Sequence, residues 1–351
     1  MLARREFLAA TAAWAGGMAA AAERGKPPIK IGQIGVGHGH ATKLAVYRAS
    51  PDYEVVGLVE PDPVLRRQAE ASPVFRDLPW MTQEQLLNVP GLQAVLVETT
   101  VRHLLPAAEA CIAAGKHIHL DKPAGDSLPH FRRILHAARD KELLVQLGYM
   151  YRYNPGVVLL RDVLARRWLG EVFEVHAVMS KVVGPADRVR FAEFSGGIMF
   201  ELGCHVLDLA LYILGRPNEV TPFIRQTRTE DGLADNMLVV LGYDRALATV
   251  KSTALEVEGF DRRHLVVCGT EGTIHIQPLD RPRVRLALAR GRGDYRQGVQ
   301  DIDLPQYVRY VDDAADMARV LRGEKRFEFS YEHDLLVQET LLRACRMPVE
   351  T

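Results

Sequence analysis

The sequence has no net charge, because its 44 lysine and arginine residues balance 44 aspartate and glutamate residues. A chain without a basic excess lacks the electrostatic field that nucleic acids require, and one without an acidic excess does not favour basic partners. Nucleic acid is therefore excluded as the expected ligand. A small molecule is favoured instead.

Cysteine is also scarce. The chain has four cysteines, which are widely separated and form no C-x-x-C pair: Cys111, Cys204, Cys268 and Cys345. This spacing excludes zinc-ribbon and dithiol redox motifs. We expect free, buried thiols, although an oxidising compartment would permit a disulfide whose pairing the sequence does not reveal.

The chain lacks a long uninterrupted apolar run near its start. Arg4 and Arg5 precede a mildly apolar stretch, residues 9 to 22, which is broken by a threonine and two glycines and ends in three alanines. This arrangement is typical of a twin-arginine export signal and is too short for a convincing membrane span. We expect residues 1 to 28 to be a signal segment and the processed protein to be periplasmic, without stable membrane insertion. An ordinary helix, an uncleaved anchor and a cytoplasmic location are the alternatives.

The most informative segment is residues 31 to 40, where an apolar strand leads into a glycine-rich turn. Gly35 and Gly37 lack the Cβ that would block a tight turn, so a helix starting just after them can point its backbone N–H groups at a pyrophosphate. A G-x-G-x-x-G count places His40 at the third position, and an extra glycine, Gly39, comes one place early. The turn predicts a nucleotide site.

Two histidines, His38 and His40, flank the extra glycine of this turn. The pair invites interpretation as a metal site. At the start of a helix, however, we expect the two side chains to form a cap or a wall of the cofactor site, and no metal is expected.

Glu60 follows the apolar run 55 to 59, about 25 residues after Gly35. A carboxylate at this place can accept hydrogen bonds from the hydroxyls of an adenosine ribose and repels a 2′-phosphate. Residues 61 to 63 offer no basic side chain for such a phosphate. We therefore expect NAD as the cofactor, with NADP less favoured.

From residue 29 to 148, short apolar strands alternate with helices, which is the pattern of a parallel sheet covered on both faces. We predict strands at 29–35, 54–59, 93–98, 117–120 and 143–147, and helices at 40–50, 62–72, 102–115 and 127–141. The chain is thus assigned to the α/β class, with a doubly wound Rossmann domain at 29–148.

After residue 148 the pattern changes to two helices and a series of strands. We predict helices near 155–168 and 199–214, and strands at 172–181, 236–243, 246–255, 263–268, 272–277 and 282–289. The short connection at 244–245 favours antiparallel pairing. Residues 149–351 are expected to form an α+β domain, with a last helix at 330–346 that packs back on the body.

Lys122 lies in the run Asp121-Lys122-Pro123, directly after the strand 117–120. Ligands of a doubly wound sheet bind beyond the carboxyl ends of the strands, so the Lys122 ammonium is expected near the nicotinamide. A lysine there can stabilise the alkoxide that forms as hydride leaves. The alternative is a solvated surface lysine.

Glu201, His205 and Asp208 are spaced to lie along one face of the helix expected at 199–214, which is otherwise apolar nearly all round. Three ionisable groups in a buried helix are costly unless they bond to each other, to a ligand or to a metal. His205 suits proton abstraction from an alcohol, with Glu201 holding its ring. A self-satisfied polar cluster and, less favoured, a metal site are the alternatives.

Together these motifs resemble the glucose-fructose oxidoreductase, inositol dehydrogenase and rhizopine-catabolism group, the Gfo/Idh/MocA family. The resemblance covers about residues 29 to 346. It rests on the glycine turn, the run at 121–123, the run Tyr151-Arg152-Tyr153-Asn154-Pro155, and Gly196-Gly197 leading into Glu201 to His205.

The resemblance implies a Rossmann domain joined to a domain with a large open, mostly antiparallel sheet. It places Lys122 and His205 at catalytic positions and Glu201 at the carboxylate position. It also implies that Thr99 and His103, in the loop and helix after the strand 93–98, lie near the cofactor. Residues expected on the substrate side are Arg152 and Asn154, with Asp208 assigned there as well.

The predicted reaction moves hydride between a nicotinamide and a secondary alcohol or ketone of a sugar or cyclitol. Two alternatives are NAD-dependent cleavage of a glycoside by transient oxidation and elimination, and a nucleotide- and sugar-binding protein without catalysis. Because nucleotides are scarce outside the cytoplasm, the cofactor is expected to bind tightly.

Self-association of the chain is also expected. An open sheet face usually needs covering, so we predict a homo-oligomer.

Overall fold

The computed structural model describes residues 26 to 350, so residues 1 to 25 of the expected signal segment lie outside the described residues. The described chain divides into two compact units. The first unit contains residues 26–149 and Tyr310–Leu335, and the second contains Met150–Arg309 and Leu336–Val349. Within the described range, no helix combines the length and the apolar character needed to cross a membrane.

The first unit is built on a five-stranded parallel sheet with the order β2-β1-β3-β4-β5. Its strands are β1 (Ile29–Ile34), β2 (Tyr53–Val59), β3 (Leu92–Val97), β4 (His117–Leu120) and β5 (Val145–Leu147). The chain order reverses at β1, which has β2 on one side and β3 on the other. The loops after β1 and β3 therefore open at a topological switch point, where ligands of such sheets bind.

Five helices connect these strands. They are α1 (Leu44–Ala49), α2 (Pro63–Glu70), α3 (Gln83–Leu87), α4 (Val101–Ala113) and α5 (Leu128–Asp140). Local sequence explains where they begin: the Asp62 carboxylate accepts the first N–H groups of α2, and the Ser127 hydroxyl caps α5. The short helix α3 was not predicted, although Thr82 and Gln85 form a complete capping box there.

Four helices lie wholly in the second unit: α6 (Pro155–Ala165), α7 (Pro185–Phe191), α8 (Cys204–Leu214) and α9 (Gly259–Arg262). Its strands are β6 (Val172–Val178), β7 (Glu219–Arg225), β8 (Asn236–Gly242), β9 (Leu247–Thr253), β10 (His264–Gly269), β11 (Gly272–Ile276), β12 (Val284–Leu288) and β13 (Gly298–Ile302).

These eight strands form one sheet with the order β13-β12-β11-β10-β6-β9-β8-β7. Every neighbouring pair is antiparallel except β6 and β9, which run parallel. Helix α8 packs on β6 and β9, and α6 packs on β11, so alternate residues such as Val239 and Val250 are buried on this face. The predicted fold class, a parallel α/β sheet followed by a larger and mostly antiparallel sheet, is confirmed.

One part of the expected division into domains is wrong. Helix α10 (Val311–Leu321) follows the second sheet in sequence but belongs to the first unit. It buries Ala314 and Met317 in the same core as Leu44 of α1, and the Tyr53 hydroxyl donates to the carbonyl oxygen of Ala314 at 2.6 Å. The last helix, α11 (Tyr331–Ala344), forms where it was expected, and the boundary between the units falls within it.

Candidate active site

The turn after β1 leaves no room for side chains at its glycines. Gly35 has φ of +91°, and a Cβ at this position would lie 2.4 Å from the backbone N of Thr99. A Cβ on Gly37 would lie 3.0 Å from side-chain atoms of Leu65 and Thr100. Glycine is therefore required at position 35 and favoured at position 37. Gly39, the extra glycine, is exposed.

Glu60 follows β2, and its carboxylate is tied to the glycine turn. Its Oε2 accepts the N–H of Val36 at 2.9 Å, and its Oε1 accepts the N–H of Asp62 at 3.0 Å. A carboxylate has about four acceptor positions, so two stay available to ribose hydroxyls. The turn and the half-buried carboxylate therefore fit an adenine dinucleotide.

The helix expected at residues 40–50 begins differently. A 3₁₀ turn, Ala41–Lys43, precedes α1, and His40 stands at its N-cap without a side-chain capping hydrogen bond. The His40 Nδ1 instead lies 3.2 Å from Oδ1 of Asp121. Burial lowers the pKa of His40 to about 3 against the opposing effect of Asp121, so the ring is neutral and donates from Nδ1. The cap interpretation is therefore wrong for His40.

His38 joins the glycine turn to the segment after β4. Its Nδ1 lies 3.2 Å from the backbone N of His40 and 3.3 Å from Oδ2 of Asp121, and its Nε2 lies 3.1 Å from the carbonyl oxygen of Lys122. That His38 and His40 form a wall of the cofactor site stays a prediction.

A buried ionic cluster lies beside the turn and was not identified from the sequence. We call it the lysine cluster, and its members are Lys43, Glu98, His119 and Asp121. The Lys43 ammonium lies 2.6 Å from Oδ2 of Asp121, 2.7 Å from Nε2 of His119 and 3.0 Å from Oε1 of Glu98. The side chains of Lys43, Glu98 and Asp121 are each at most 1% exposed. One sequence feature could have indicated the cluster. Glu98, His119 and Asp121 are polar residues at the ends of strands that were expected to be buried on both faces.

Burial and charge set the ionisation of the lysine cluster. Burial alone would lower the pKa of Lys43, but Asp121 and Glu98 raise it above its ordinary value. Burial alone would raise the pKa of Asp121, yet His38 and Lys43 hold it well below its usual range. Burial and the Asp121 charge raise the pKa of Glu98, and burial together with Lys43 lowers the pKa of His119 to about 3. The cluster thus holds an ionised Lys43–Asp121 pair beside a neutral imidazole.

Lys122 directly follows β4, at the carboxyl end of the first sheet. It is only 4% exposed, so the alternative of a solvated surface lysine is wrong. Its backbone N–H donates to Oδ1 of Asp121 at 2.7 Å, while its carbonyl oxygen accepts from His38. The peptide bond that joins it to Pro123 is cis. The backbone of Lys122 is therefore held from both sides.

Thr99 and His103 follow β3, the strand next to β1. Thr99 is buried, its backbone N faces Gly35, and its hydroxyl donates to the carbonyl oxygen of Thr100 at 3.0 Å. His103 is exposed in the first turn of α4. Thr99 thus forms part of the turn, and contact of either residue with a cofactor stays a prediction.

Two groups of three side chains in residues 26–350 bring metal-type donor atoms within 4.8 Å of one another. They are His38, His40 and Asp121, and Glu98, His119 and Asp121. In the second group, the Lys43 ammonium already contacts all three side chains. In the first group, both imidazoles lie against the Asp121 carboxylate, His38 at 3.3 Å and His40 at 3.2 Å. That neither group holds a metal stays a prediction.

The segment that carries Glu201 and His205 belongs to the second unit and differs from the expected single α-helix. Met199–Gly203 forms a π-helical turn, and α8 begins only at Cys204. A π-helical turn holds more residues than an α-helical turn. That Glu201, His205 and Asp208 lie along one face stays a prediction. Such turns are frequent at functional sites.

His205 is 1% exposed, and its ring packs edge-on against the ring of Tyr151 with 5.4 Å between centroids. Glu201 is half-buried. The role of Glu201 in orienting His205 stays a prediction. Lys122 belongs to the first unit and His205 to the second.

The three side chains expected on the substrate side have intramolecular partners. Arg152 and Asp208 form a bidentate pair, with 2.6 Å from Nη2 to Oδ1 and 3.0 Å from Nε to Oδ2. Asn154 is fully buried, caps α6 by accepting the N–H of Gly156 at 2.8 Å, and donates to the carbonyl oxygen of Leu279 at 2.7 Å. All three therefore have structural roles, and contact with a substrate stays a prediction.

Family models match both parts of the chain. The model of an oxidoreductase family with an NAD-binding Rossmann fold matches residues 29–149, and the model of the GFO/IDH/MocA C-terminal domain matches residues 157–275. These matches agree with the glycine turn, Glu60 and the buried Lys122, and together they define an NAD(P)-dependent oxidoreductase. The chain belongs to the GFO/IDH/MocA family.

Curated relatives are similar to the chain over about half to three quarters of its length. The chain is 26% identical over 267 residues to the uncharacterized oxidoreductase YdgJ of Escherichia coli (strain K12), which covers 74% of each chain. It is 24% identical over 255 residues to the myo-inositol 2-dehydrogenase of Thermotoga maritima, covering 70% of this chain and 73% of the relative. The alignment with the scyllo-inositol 2-dehydrogenase (NADP(+)) IolW of Bacillus subtilis, at 24% identity, spans about half of each protein, 47%.

Solved structures share the whole fold. An oxidoreductase from Agrobacterium radiobacter, in complex with NAD+, L-tartaric acid and magnesium, superposes with a TM-score of 0.78 and covers 91% of this chain and 97% of that one. Its sequence identity is 16%, so the likeness establishes the fold alone.

Proposed function

We propose that this protein transfers hydride between the nicotinamide of NAD and a secondary alcohol, or the corresponding ketone, of a sugar or cyclitol. The observation that carries the proposal is Lys122, buried at the carboxyl end of β4 with its backbone held by Asp121 and His38. The nicotinamide, when bound, accepts or returns the hydride. The relatives named as inositol dehydrogenases support a cyclitol or related polyol.

The side chains have distinct roles in this proposal. The Lys122 ammonium stabilises the oxyanion that develops on the substrate oxygen as hydride leaves the carbon. His205 takes the hydroxyl proton during oxidation and returns it during reduction. Glu201 orients the imidazole of His205. The burial of Lys122 and His205 supports these roles, because charge interactions are stronger where water is excluded.

We infer a preference for NAD over NADP. The Glu60 carboxylate after β2 would repel a 2′-phosphate. The nearest basic side chain on α2 is Arg66, which pairs with Glu70 at 2.9 Å and stacks over the ring of Trp80 at 5.2 Å. Arg66 is therefore already engaged, which supports the preference.

We propose that the protein is exported with its cofactor already bound. The twin arginines Arg4 and Arg5 support the twin-arginine route, which carries folded proteins. Tight binding would then keep a cofactor that the periplasm does not supply. Cell fractionation of the full chain, with analysis of nucleotide in the exported fraction, tests both points.

We also propose self-association through the open face of the eight-stranded sheet. On the face opposite α6 and α8, Phe223 is 47% exposed, Leu247 is 58% exposed, and Leu238 and Val240 are half-buried. A second copy of the chain would cover these apolar side chains. Light scattering on the purified protein tests this, and a monomer with the face uncovered would contradict it.

The decisive test of the activity is a panel of inositols, aldoses and alditols with added NAD⁺ or NADP⁺, followed by NADH or NADPH absorbance. We expect reduction of the cofactor by at least one polyol, faster with NAD⁺. Aryl glycosides form a separate arm. Aglycone release without net reduction would establish glycoside cleavage instead, and sugar binding without turnover would establish a binding protein.

A further inference from the structure

We propose that Lys43 is a positioning residue for Lys122: its buried ammonium is the internal counter-ion that holds the Asp121 carboxylate against the backbone N–H of Lys122. The proposal rests on the proposed function for the catalytic role of Lys122. The link itself, from Lys43 through Asp121 to the Lys122 backbone, rests on contacts within the first unit.

Three polar side chains surround the Lys43 ammonium. It donates hydrogen bonds to Asp121 at 2.6 Å and to His119 at 2.7 Å, and it lies 3.0 Å from Oε1 of Glu98. The ammonium also lies 5.3 Å from the centre of the Tyr310 ring, which is a favourable position for a cation. A buried lysine is costly unless it is paired in this way, so these contacts fix its place.

The Asp121 carboxylate links the fixed Lys43 ammonium to the backbone of Lys122. Oδ2 binds the Lys43 ammonium, and Oδ1 accepts from the Lys122 N–H and from the His40 ring. Gly148 lies against the same carboxylate, since a Cβ there would be 2.9 Å from Oδ1. The carboxylate therefore has one orientation, and that orientation places an acceptor on Lys122.

Removal of the ammonium would take away the cation that binds Oδ2 of Asp121 and leave this buried carboxylate beside the Glu98 carboxyl group. A buried carboxylate that loses its counter-ion is costly, so Asp121 would take up a proton or turn away. Either change weakens the bond to the Lys122 N–H. A displacement on the order of 1 Å at a reacting group can lower a rate by about a hundredfold.

The first test measures hydrogen exchange of individual backbone amides in the full chain. Lys43→Met removes the charge and keeps a side chain of similar length. We expect the Lys122 amide to exchange at least about tenfold faster than in the unaltered protein, while the amides of β5 change little. Lys116→Met is the matched control, because the Lys116 ammonium binds only the Leu92 carbonyl oxygen among the contacts described, at 3.0 Å, on the same sheet. An unchanged Lys122 amide, or equal acceleration of all amides of the sheet, would overturn the proposal.

The second test separates positioning from stability. Lys43→Met should lower kcat by roughly tenfold to a hundredfold while KM for the polyol and NAD affinity change by less than about threefold. In a Lys122→Ala background the same substitution should have no further effect on residual turnover, because Lys43 acts through Lys122. If the turnover of the double variant fell by the product of the two single-variant losses, the proposal would be overturned. If the unaltered protein oxidises no polyol, the proposed function fails, and the exchange result at Lys122 still decides whether Lys43 holds that backbone.

Discussion

Arg152 and Asp208 are bound to each other by two parallel hydrogen bonds inside the second unit, and both side chains are 1% exposed. Removal of one partner breaks a buried ion pair and leaves the other charge without its bidentate contact, which costs about 3–5 kcal/mol. We expect Arg152→Met and Asp208→Asn each to lower the free energy of unfolding by this amount. Chemical denaturation measures it.

The double variant Arg152→Met with Asp208→Leu should recover most of the lost stability, because replacing a buried ion pair by apolar residues is often neutral. Its KM for the polyol then shows whether either side chain also contacts the substrate. Single variants of normal stability would show that the pair does not support the fold.

Lys122→Ala and His205→Ala should each depress turnover by about a hundredfold or more, because one removes the stabiliser of the oxyanion and the other the acceptor of the proton. Neither side chain is part of the glycine turn, so NAD affinity should change little. Steady-state kinetics and calorimetric titration with NAD measure the two effects. Near-normal turnover rates in both variants would contradict the proposed mechanism.

Gly35→Ala should lower NAD affinity by at least about tenfold, because the new Cβ would meet the backbone of Thr99 at 2.4 Å and reshape the turn. Gly115→Ala is the control: Gly115 also has positive φ, +71°, but nothing lies within 4 Å of the added Cβ. It should cost about 1 kcal/mol of stability and leave NAD affinity unchanged. Equal affinities in the two variants would contradict the role of the turn.

Glu60→Ala should narrow the preference for NAD over NADP by roughly tenfold, since it removes the repulsion of a 2′-phosphate and an acceptor for the ribose hydroxyls. The ratio of kcat/KM values for the two cofactors measures the change. Glu54→Ala, at an exposed position on β2, should leave the ratio as it is. If Glu60→Ala left the ratio of kcat/KM values for NAD and NADP unchanged, Glu60 would not be the residue that selects the cofactor.

Asp313 gives the first unit a pH-dependent stability. Burial, partly opposed by Lys43, raises the pKa of this 3% exposed carboxyl from 3.8 to about 7. Between these values the folded state binds more protons at Asp313 than the unfolded state does, so the contribution of this carboxyl to stability is fully present at low pH and is lost as pH rises toward 7. At about 1.4 kcal/mol per pKa unit, the loss amounts to a few kcal/mol.

Asp313→Asn should remove the loss of stability with rising pH that the Asp313 carboxyl causes. At pH 8 the variant should therefore be more stable than the unaltered protein. Asp126→Asn, an exposed carboxylate of the same unit, is the control and should keep this loss. Denaturation midpoints measured from pH 5 to pH 8 provide the comparison, and parallel curves for all three proteins would contradict the assignment.

The predicted strands of the two sheets lie close to those observed, because continuous apolar runs and alternating patterns reflect burial directly. The strands that escaped prediction are the two edges of the large sheet, β7 and β13. Pro222 interrupts the pattern of β7, and β13 carries Gln300 and Asp301. An edge strand tolerates proline and polar residues, so its sequence resembles a loop.

The candidate site was predictable only in part. Gly35, Glu60 and Lys122 follow strand ends, where the rules for parallel sheets place ligand-binding residues. Lys43 carried no such signal, because a lysine in a short helix is normally exposed and its burial depends on contacts with β3 and β4. The packing of α10 in the first unit likewise depends on contacts between residues that are far apart in sequence, so local sequence does not predict it.

Transfer of deuterium tests the proposed chemistry most directly. A polyol labelled at the reacting carbon is incubated with the protein and NAD⁺, and the reduced cofactor is analysed by mass spectrometry. We predict one deuterium on the nicotinamide ring of the NADH, formed about a hundredfold more slowly by Lys122→Ala. Consumption of the labelled polyol without deuterium on the nicotinamide, or transfer by Lys122→Ala at the normal rate, would contradict the mechanism.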